Sequence, residues 1–194
     1  MDEKEFREYL KKRDDETGED RVKRRSELSP VTYGGELPKL LWEYSTEAIQ
    51  LYVCGHFASV IVWCATILEL ALSDKLIHNS KGTKEVIELL TLNEKTRLCH
   101  KFGIITSQED KNNIDDIRNL RNSITHADAG KLAKMARAYY GDVDDVISQV
   151  LPELYLGDFG EALKSQALKS LTFTRELTKR WYGEKPSDFA SGRD

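Results

Sequence analysis

One stretch of the sequence is apolar around nearly the whole circumference of a helix. Phe57–Leu72, which reads FASVIVWCATILELAL, carries a single charged side chain, Glu69. Apolar residues recur there at helical spacing, and Val62, Trp63 and Ile67 cover the remaining faces. Such a helix is buried at the centre of a protein. Since no alternating strand pattern of useful length occurs, we predict an all-α helical bundle of about four main helices plus short ones.

The composition divides the chain into three parts. Residues 1–36 are rich in charges of both signs and poor in apolar residues, which predicts a mobile charged N-terminal segment. Its basic cluster Arg21–Arg25 (RVKRR) is interpreted as a solvated charge run, with contact to nucleic acid as the alternative. Residues 37–183 form the expected helical domain, and residues 184–194 are expected to be a flexible tail.

Capping signals predict where the helices begin and end. Thr106 and Glu109 form a T-x-x-E capping box, and Pro152 is expected to stop a short helix that precedes it. The predicted helices run from Leu40 to Val53, from Phe57 to Ile77, from Thr83 to Leu90, from Asn93 to Phe102, from Thr106 through Ile124, from Asp142 to Val150 and from Phe159 to near Tyr182.

The region Ala48–Leu68 raises the question of a membrane span. It contains no acidic or basic residue apart from His56, over about the length that crosses a bilayer. However, Gln50, Gly55 and Ser59 also lie around its middle, where insertion tolerates polar groups least. We therefore expect a Gly-His joint between two buried helices, with a transmembrane span as the alternative, and no membrane partner.

Charge, cysteines and histidines narrow the classes of function. The net charge of −4 argues against a globally basic nucleic-acid coat, although it leaves room for a local basic cleft. Cys54, Cys64 and Cys99 are odd in number and lack C-x-x-C spacing, so we expect buried reduced thiols. Residues 1–16 lack an apolar signal-peptide core, which predicts a cytoplasmic protein. The four histidines lack metal-ligand spacing, so we predict no metal and no other cofactor.

The segment Ile114–Ala127 (IDDIRNLRNSITHA) carries the candidate site. On an ideal helix Arg121 lies about 40° from Ile117, within the apolar stripe, where a charge is costly unless it has a partner or a task. His126 is the only nearby side chain that changes charge close to neutral pH. The two lie about 140° apart on one straight helix. They converge only through the length of Arg121, an unwound helix end or a second copy of the protein.

Spacing alone leaves two interpretations of this segment open. In one, Glu69 and Arg121 form a buried ion pair that joins two helices, and His126 caps a helix C-terminus, where a cation is favourable. In the other, Arg121 holds a phosphate and His126 moves a proton, as in a metal-free ribonuclease.

The order of elements resembles a HEPN domain, the helical bundle of many prokaryotic toxin and defence proteins. The similarity rests on an apolar helix ending in ILELAL, a connector LLTLNEKTRLCHKFGIIT and the segment IDDIRNLRNSITHA. The last matches the R-x4-6-H signature at Arg121 and His126, with the polar Asn122 after the arginine. The layout of residues 89–126 is also similar to the mannitol operon repressor family.

The resemblance to HEPN ribonucleases implies a homodimer that cleaves RNA without a metal. His126 would move the proton, Arg121 with Arg118 would stabilise charge on the phosphate, Asn122 would orient the phosphate or His126, and Glu69 would fix the rotamer of Arg121. A toxin-antitoxin or defence context, with a protein antitoxin or regulator as partner, would follow. The alternative is a non-catalytic regulatory or binding module, similar to the mannitol operon repressor family.

Overall fold

The computed structural model describes residues 17–28, 37–79, 81–126 and 152–183, with side chains in the last range from residue 160 onward. These ranges contain helices and no strand, which confirms the all-α prediction. The helices are α1 (17–27), α2 (Lys39–Val53), α3 (Phe57–His78), α4 (Lys84–Glu88), α5 (Leu92–Lys101), α6 (Gln108–Thr125) and α7 (Pro152–Tyr182).

Helix α3 is the centre of the domain, as its sequence predicts. It packs against α2, α4, α5, α6 and α7. These neighbours cover most of α3, and Val60, Ile61, Cys64, Ala65, Ile67, Leu68, Ala71, Leu72 and Leu76 are all buried. The remaining stripe, which includes Val62, Trp63 and Glu69, is only partly buried. Burial of apolar surface on this scale is the main favourable contribution to the fold.

A tight turn separates α2 from α3. Gly55 has a φ of +85°, a left-handed conformation that glycine adopts without a steric cost, and the chain re-enters a helix after His56. The predicted joint between two helices is therefore present. No helix in the described ranges is both long enough and apolar enough to cross a membrane.

Two predicted helix starts are wrong by one or two residues. Thr91, not Asn93, caps α5: its hydroxyl accepts a hydrogen bond from the backbone N–H of Glu94, whose carboxylate accepts one from the N–H of Thr91. Ser107, not Thr106, caps α6 by accepting from two backbone N–H groups of the first turn. In both places neighbouring polar residues can serve as caps, and the backbone selects the one that lies at the turn.

The last helix begins earlier than predicted. Helix α7 starts at Pro152 rather than Phe159 and ends at Tyr182 as expected. Proline suits the first turn of a helix because its missing N–H has no intrahelical partner there, so Pro152 is compatible with the start of this helix. The predicted helix from Asp142 to Val150 and the tail 184–194 lie outside the described residues.

Residues 17–28 differ from the predicted mobile segment, because they form α1 and pack on the body. Glu27 accepts hydrogen bonds from the Tyr52 hydroxyl of α2 and from Lys164 Nζ of α7, the latter at 2.8 Å. Arg24 Nε donates to the carbonyl of Val53 at 2.8 Å, and Leu28 is buried in the core. Two charged residues of α1, Arg24 and Glu27, thus have specific partners elsewhere in the fold, which composition does not reveal.

Helix α6, which carries the candidate site, is held at its first turn by α7. Arg180 donates two hydrogen bonds to the carboxylate of Asp110, at 2.8 and 3.0 Å. A bidentate pair of this kind fixes orientation as well as distance. Where α7 ends, the Lys75 amine of α3 donates to the carbonyl of Trp181 at 2.7 Å, which satisfies a free carbonyl of the last turn.

We predict that Glu27 stabilises the docking of α1 in a pH-dependent way. Burial raises the pKa of Glu27, but the hydrogen bonds from Lys164 and Tyr52 and the charge of Lys164 outweigh it, so this pKa lies below its ordinary value. The stabilisation is therefore fully present above the ordinary carboxyl pKa and is lost as pH falls through the lowered one.

Glu27→Gln should lower the free energy of unfolding at pH 7 by about 1–3 kcal/mol, and the difference should shrink below about pH 4. Urea unfolding at several pH values measures it. Glu19→Gln, on the exposed face of the same helix, is the matched control. Equal losses for the two variants would contradict the role given to Glu27.

Candidate functional site

The single charge of the apolar part of α3 is the meeting point of three helices. Glu69 Oε1 lies 3.1 Å from Lys95 Nζ of α5, and Glu69 Oε2 lies 3.9 Å from Arg121 Nη1 of α6. A carboxylate on a central helix is costly unless it is paired and hydrogen-bonded. The packing of α5 and α6 on α3 supplies those partners.

Arg121 is half-buried, with 29% of its side chain exposed. Its Nε donates to Asn122 Oδ1 at 3.2 Å, whereas the approach to Glu69 is longer than a hydrogen bond. The predicted ion pair between Glu69 and Arg121 is therefore confirmed, but it is half-buried rather than buried, and Glu69 is shared with Lys95. Within the described ranges, no hydrogen bond reaches the terminal nitrogens of Arg121, so its N–H fork remains able to bind an anion.

Lys95 is the member of this group that the sequence analysis missed. It is 4% exposed and lies on the buried face of α5 with Leu92, Thr96 and Cys99. These positions recur at the spacing of one helix face, so Lys95 is a cation within an apolar stripe, as Arg121 is. The rule that drew attention to Arg121 therefore applies to Lys95 as well.

Arg118 pairs with a second carboxylate that two cations share, on α6 itself. Its Nη1 lies 2.9 Å from Asp115, which also pairs with Lys111 at 3.0 Å. Arg118 donates as well to Asn93 at the start of α5. Across both groups four cations share two carboxylates.

His126 ends α6, as the helix-cap interpretation predicts. It is the C-cap residue, its backbone N–H donates to the carbonyl of Asn122 at 3.0 Å, and its side chain is exposed. Among the described contacts none joins His126 to Arg121, in line with their separation around the helix. Within one copy of the chain the two side chains therefore do not pair directly. Asn122 lies between them in the sequence and bonds to both residues: its side-chain oxygen accepts from Arg121, and its backbone carbonyl accepts from the N–H of His126.

The described residues contain no group of three or more histidine, cysteine, aspartate or glutamate side chains that could hold a metal ion. Cys64 and Cys99 are buried free thiols, as predicted, while Cys54 is exposed. Burial raises the pKa of Cys64 and of Cys99 to about 12. Both buried thiols are protonated at neutral pH and belong to the core rather than to a reactive site.

Comparison of the chain with protein-family models, with curated proteins and with solved structures gave no match in any of the three. No known protein therefore indicates what this site does, and its chemistry has to be inferred from the positions of Glu69, Lys95, Arg121 and His126.

We predict that Glu69→Gln destabilises the protein, because it leaves the buried ammonium of Lys95 without a counter-charge. The expected loss in the free energy of unfolding is about 1–3 kcal/mol. Glu88→Gln is the matched control, since Glu88 is exposed on α4 and pairs with Lys84 one turn away. Its expected cost is below about 0.5 kcal/mol. Thermal and urea unfolding of both variants measure the difference, and equal costs would show that the shared carboxylate has no special role.

Proposed function

We propose that this protein is a metal-independent endoribonuclease that acts as a homodimer in the cytoplasm, in a toxin-antitoxin or defence context. One observation carries the proposal. Arg121 presents an incompletely bonded, half-exposed guanidinium near the end of α6, and an exposed His126 follows at the C-cap of the same helix. For phosphodiester cleavage through the ribose 2′-hydroxyl, the guanidinium can stabilise charge on the phosphate and the imidazole can move a proton.

The reaction follows from what each group can do. The ribose 2′-oxygen attacks phosphorus, the bond from phosphorus to the 5′-oxygen breaks, and a 2′,3′-cyclic phosphate and a 5′-hydroxyl result. The imidazole of His126 makes one of the two proton transfers, either by accepting the 2′-hydroxyl proton or by donating a proton to the leaving 5′-oxygen, and solvent water makes the other. Arg121, with Arg118 beside it, stabilises the charge that develops on the phosphate oxygens. Asn122 orients Arg121, and Glu69 limits its rotamers.

Two copies of the chain suit this chemistry better than one. Arg121 faces Glu69 on α3, while His126 lies at the exposed end of α6. A two-fold axis near these helix ends would bring Arg121 of one protomer and His126 of the other to a single phosphate. The regulator of such an enzyme would be a protein partner that blocks the shared cleft.

A second candidate is a non-catalytic regulatory or binding module. The observation that favours it is that Arg121 already has Glu69 and Asn122 as neighbours, which is a sufficient structural reason for an arginine at that position. In that case the loss of His126 changes stability or partner binding, with no nuclease activity to lose.

Purified protein should cleave RNA in the presence of EDTA, and both His126→Ala and Arg121→Ala should lower the cleavage rate by about 100-fold or more. Both variants should keep the circular dichroism spectrum of the parent. His78→Ala is the control, because it removes an exposed histidine from α3. If the parent leaves single-stranded and structured RNA intact at high protein concentration, the ribonuclease proposal is wrong.

A mixture of the two inactive variants tests whether the site is shared. After equal amounts of Arg121→Ala and His126→Ala protomers exchange, mixed dimers contain one intact site, so about a quarter of the parent activity should return. No activity should return if both groups must come from one chain. Native mass spectrometry confirms that mixed dimers have formed.

A further inference from the structure

Two cations approach the carboxylate of Glu69 unequally. Lys95 Nζ is within hydrogen-bond distance at 3.1 Å, whereas Arg121 Nη1 is 3.9 Å away. The nearer cation is also the more deeply buried, because 5% of the Lys95 side chain is exposed against 29% for Arg121. Lys95 therefore satisfies and orients the carboxylate, and Arg121 receives a weaker, longer-range attraction.

Lys95 also affects how Arg121 can pair with Glu69. A guanidinium beside a carboxylate with no competitor closes into a pair of parallel hydrogen bonds. That closed pair uses the same fork of N–H groups that a phosphate would accept from. With Lys95 in place, Glu69 is shared, and the terminal nitrogens of Arg121 make no hydrogen bond within the described part of the chain.

We propose that Lys95 is a positioning residue: by holding Glu69, it keeps the guanidinium of Arg121 available to the phosphate group of a bound RNA. The identity of this ligand rests on the proposed ribonuclease function, whereas the competition for Glu69 does not. Two cations on one carboxylate also leave the group with a net positive charge, which attracts an anion.

The test replaces Lys95 and follows Arg121 directly. In Lys95→Met the stem of the side chain is kept and the ammonium is lost, so Glu69 should pair with Arg121 instead. The side-chain N–H resonances of Arg121, assigned by comparison with Arg121→Lys, should then show slowed rotation of the guanidinium. Inorganic phosphate, titrated by NMR, should bind at Arg121 about tenfold more weakly or worse, the change expected when one charge-assisted hydrogen bond is diverted.

Further variants separate this role from a merely structural one. Lys95→Gln, which keeps a neutral donor to Glu69, should fall between the parent and Lys95→Met. The double variant Lys95→Met/Glu69→Gln removes the carboxylate that captures Arg121, so it should regain phosphate binding at Arg121. Lys84→Met, an exposed lysine on α4, is the matched control and should behave as the parent.

The outcomes distinguish this proposal from the proposed function. If the Arg121 resonances and the phosphate affinity are unchanged in a folded Lys95→Met, Lys95 has no positioning role, whatever the enzymatic activity. If both change and the double variant restores them while the parent cleaves no RNA, the positioning role stands and the ribonuclease proposal fails. If Lys95→Met does not fold, the same comparison between the parent and Lys95→Gln decides: equal phosphate affinities contradict the proposal.

Discussion

One carboxylate within an apolar helix governs how three helices of this protein fit together. Glu69 lies on α3, where its neighbours along the chain are aliphatic, and a half-buried charge there is unfavourable without a partner. Lys95 and Arg121 meet this requirement from two different helices. Each of them is in turn a cation on a mostly apolar helix face. One exception to the hydrophobic pattern in α3 therefore explains two others, in α5 and α6.

The elements that the sequence predicts well are those whose information is local. Helices α2 and α3 follow from apolar spacing and from the Gly-His joint, and the position of His126 follows from where the stripe of α6 ends. The sequence pattern favours Asn93 and Thr106 as caps over the observed Thr91 and Ser107, because several adjacent side chains are able to cap and the choice depends on the exact turn.

Contacts between distant parts of the chain account for what the sequence did not predict. Lys95 belongs to the candidate site only because α5 packs beside Glu69. Its place in the apolar stripe of α5 does indicate, from the sequence alone, that this lysine needs a buried partner. The pair between Glu69 and Arg121 was predictable, since a lone acid and a lone base in buried stripes tend to meet. The sharing of Glu69, and hence the partial freedom of Arg121, depends on distances that spacing does not contain.

The docking of α1 also changes where the folded unit begins. Composition places the boundary near Leu37, yet Glu27 and Leu28 are built into the body. A protein shortened to that boundary would leave the Tyr52 hydroxyl and the Lys164 ammonium without their shared acceptor and would uncover part of the core. Differences in solubility or assembly between shortened and complete preparations would then originate where α1 contacts the body, and not in the chemistry of Arg121 and His126.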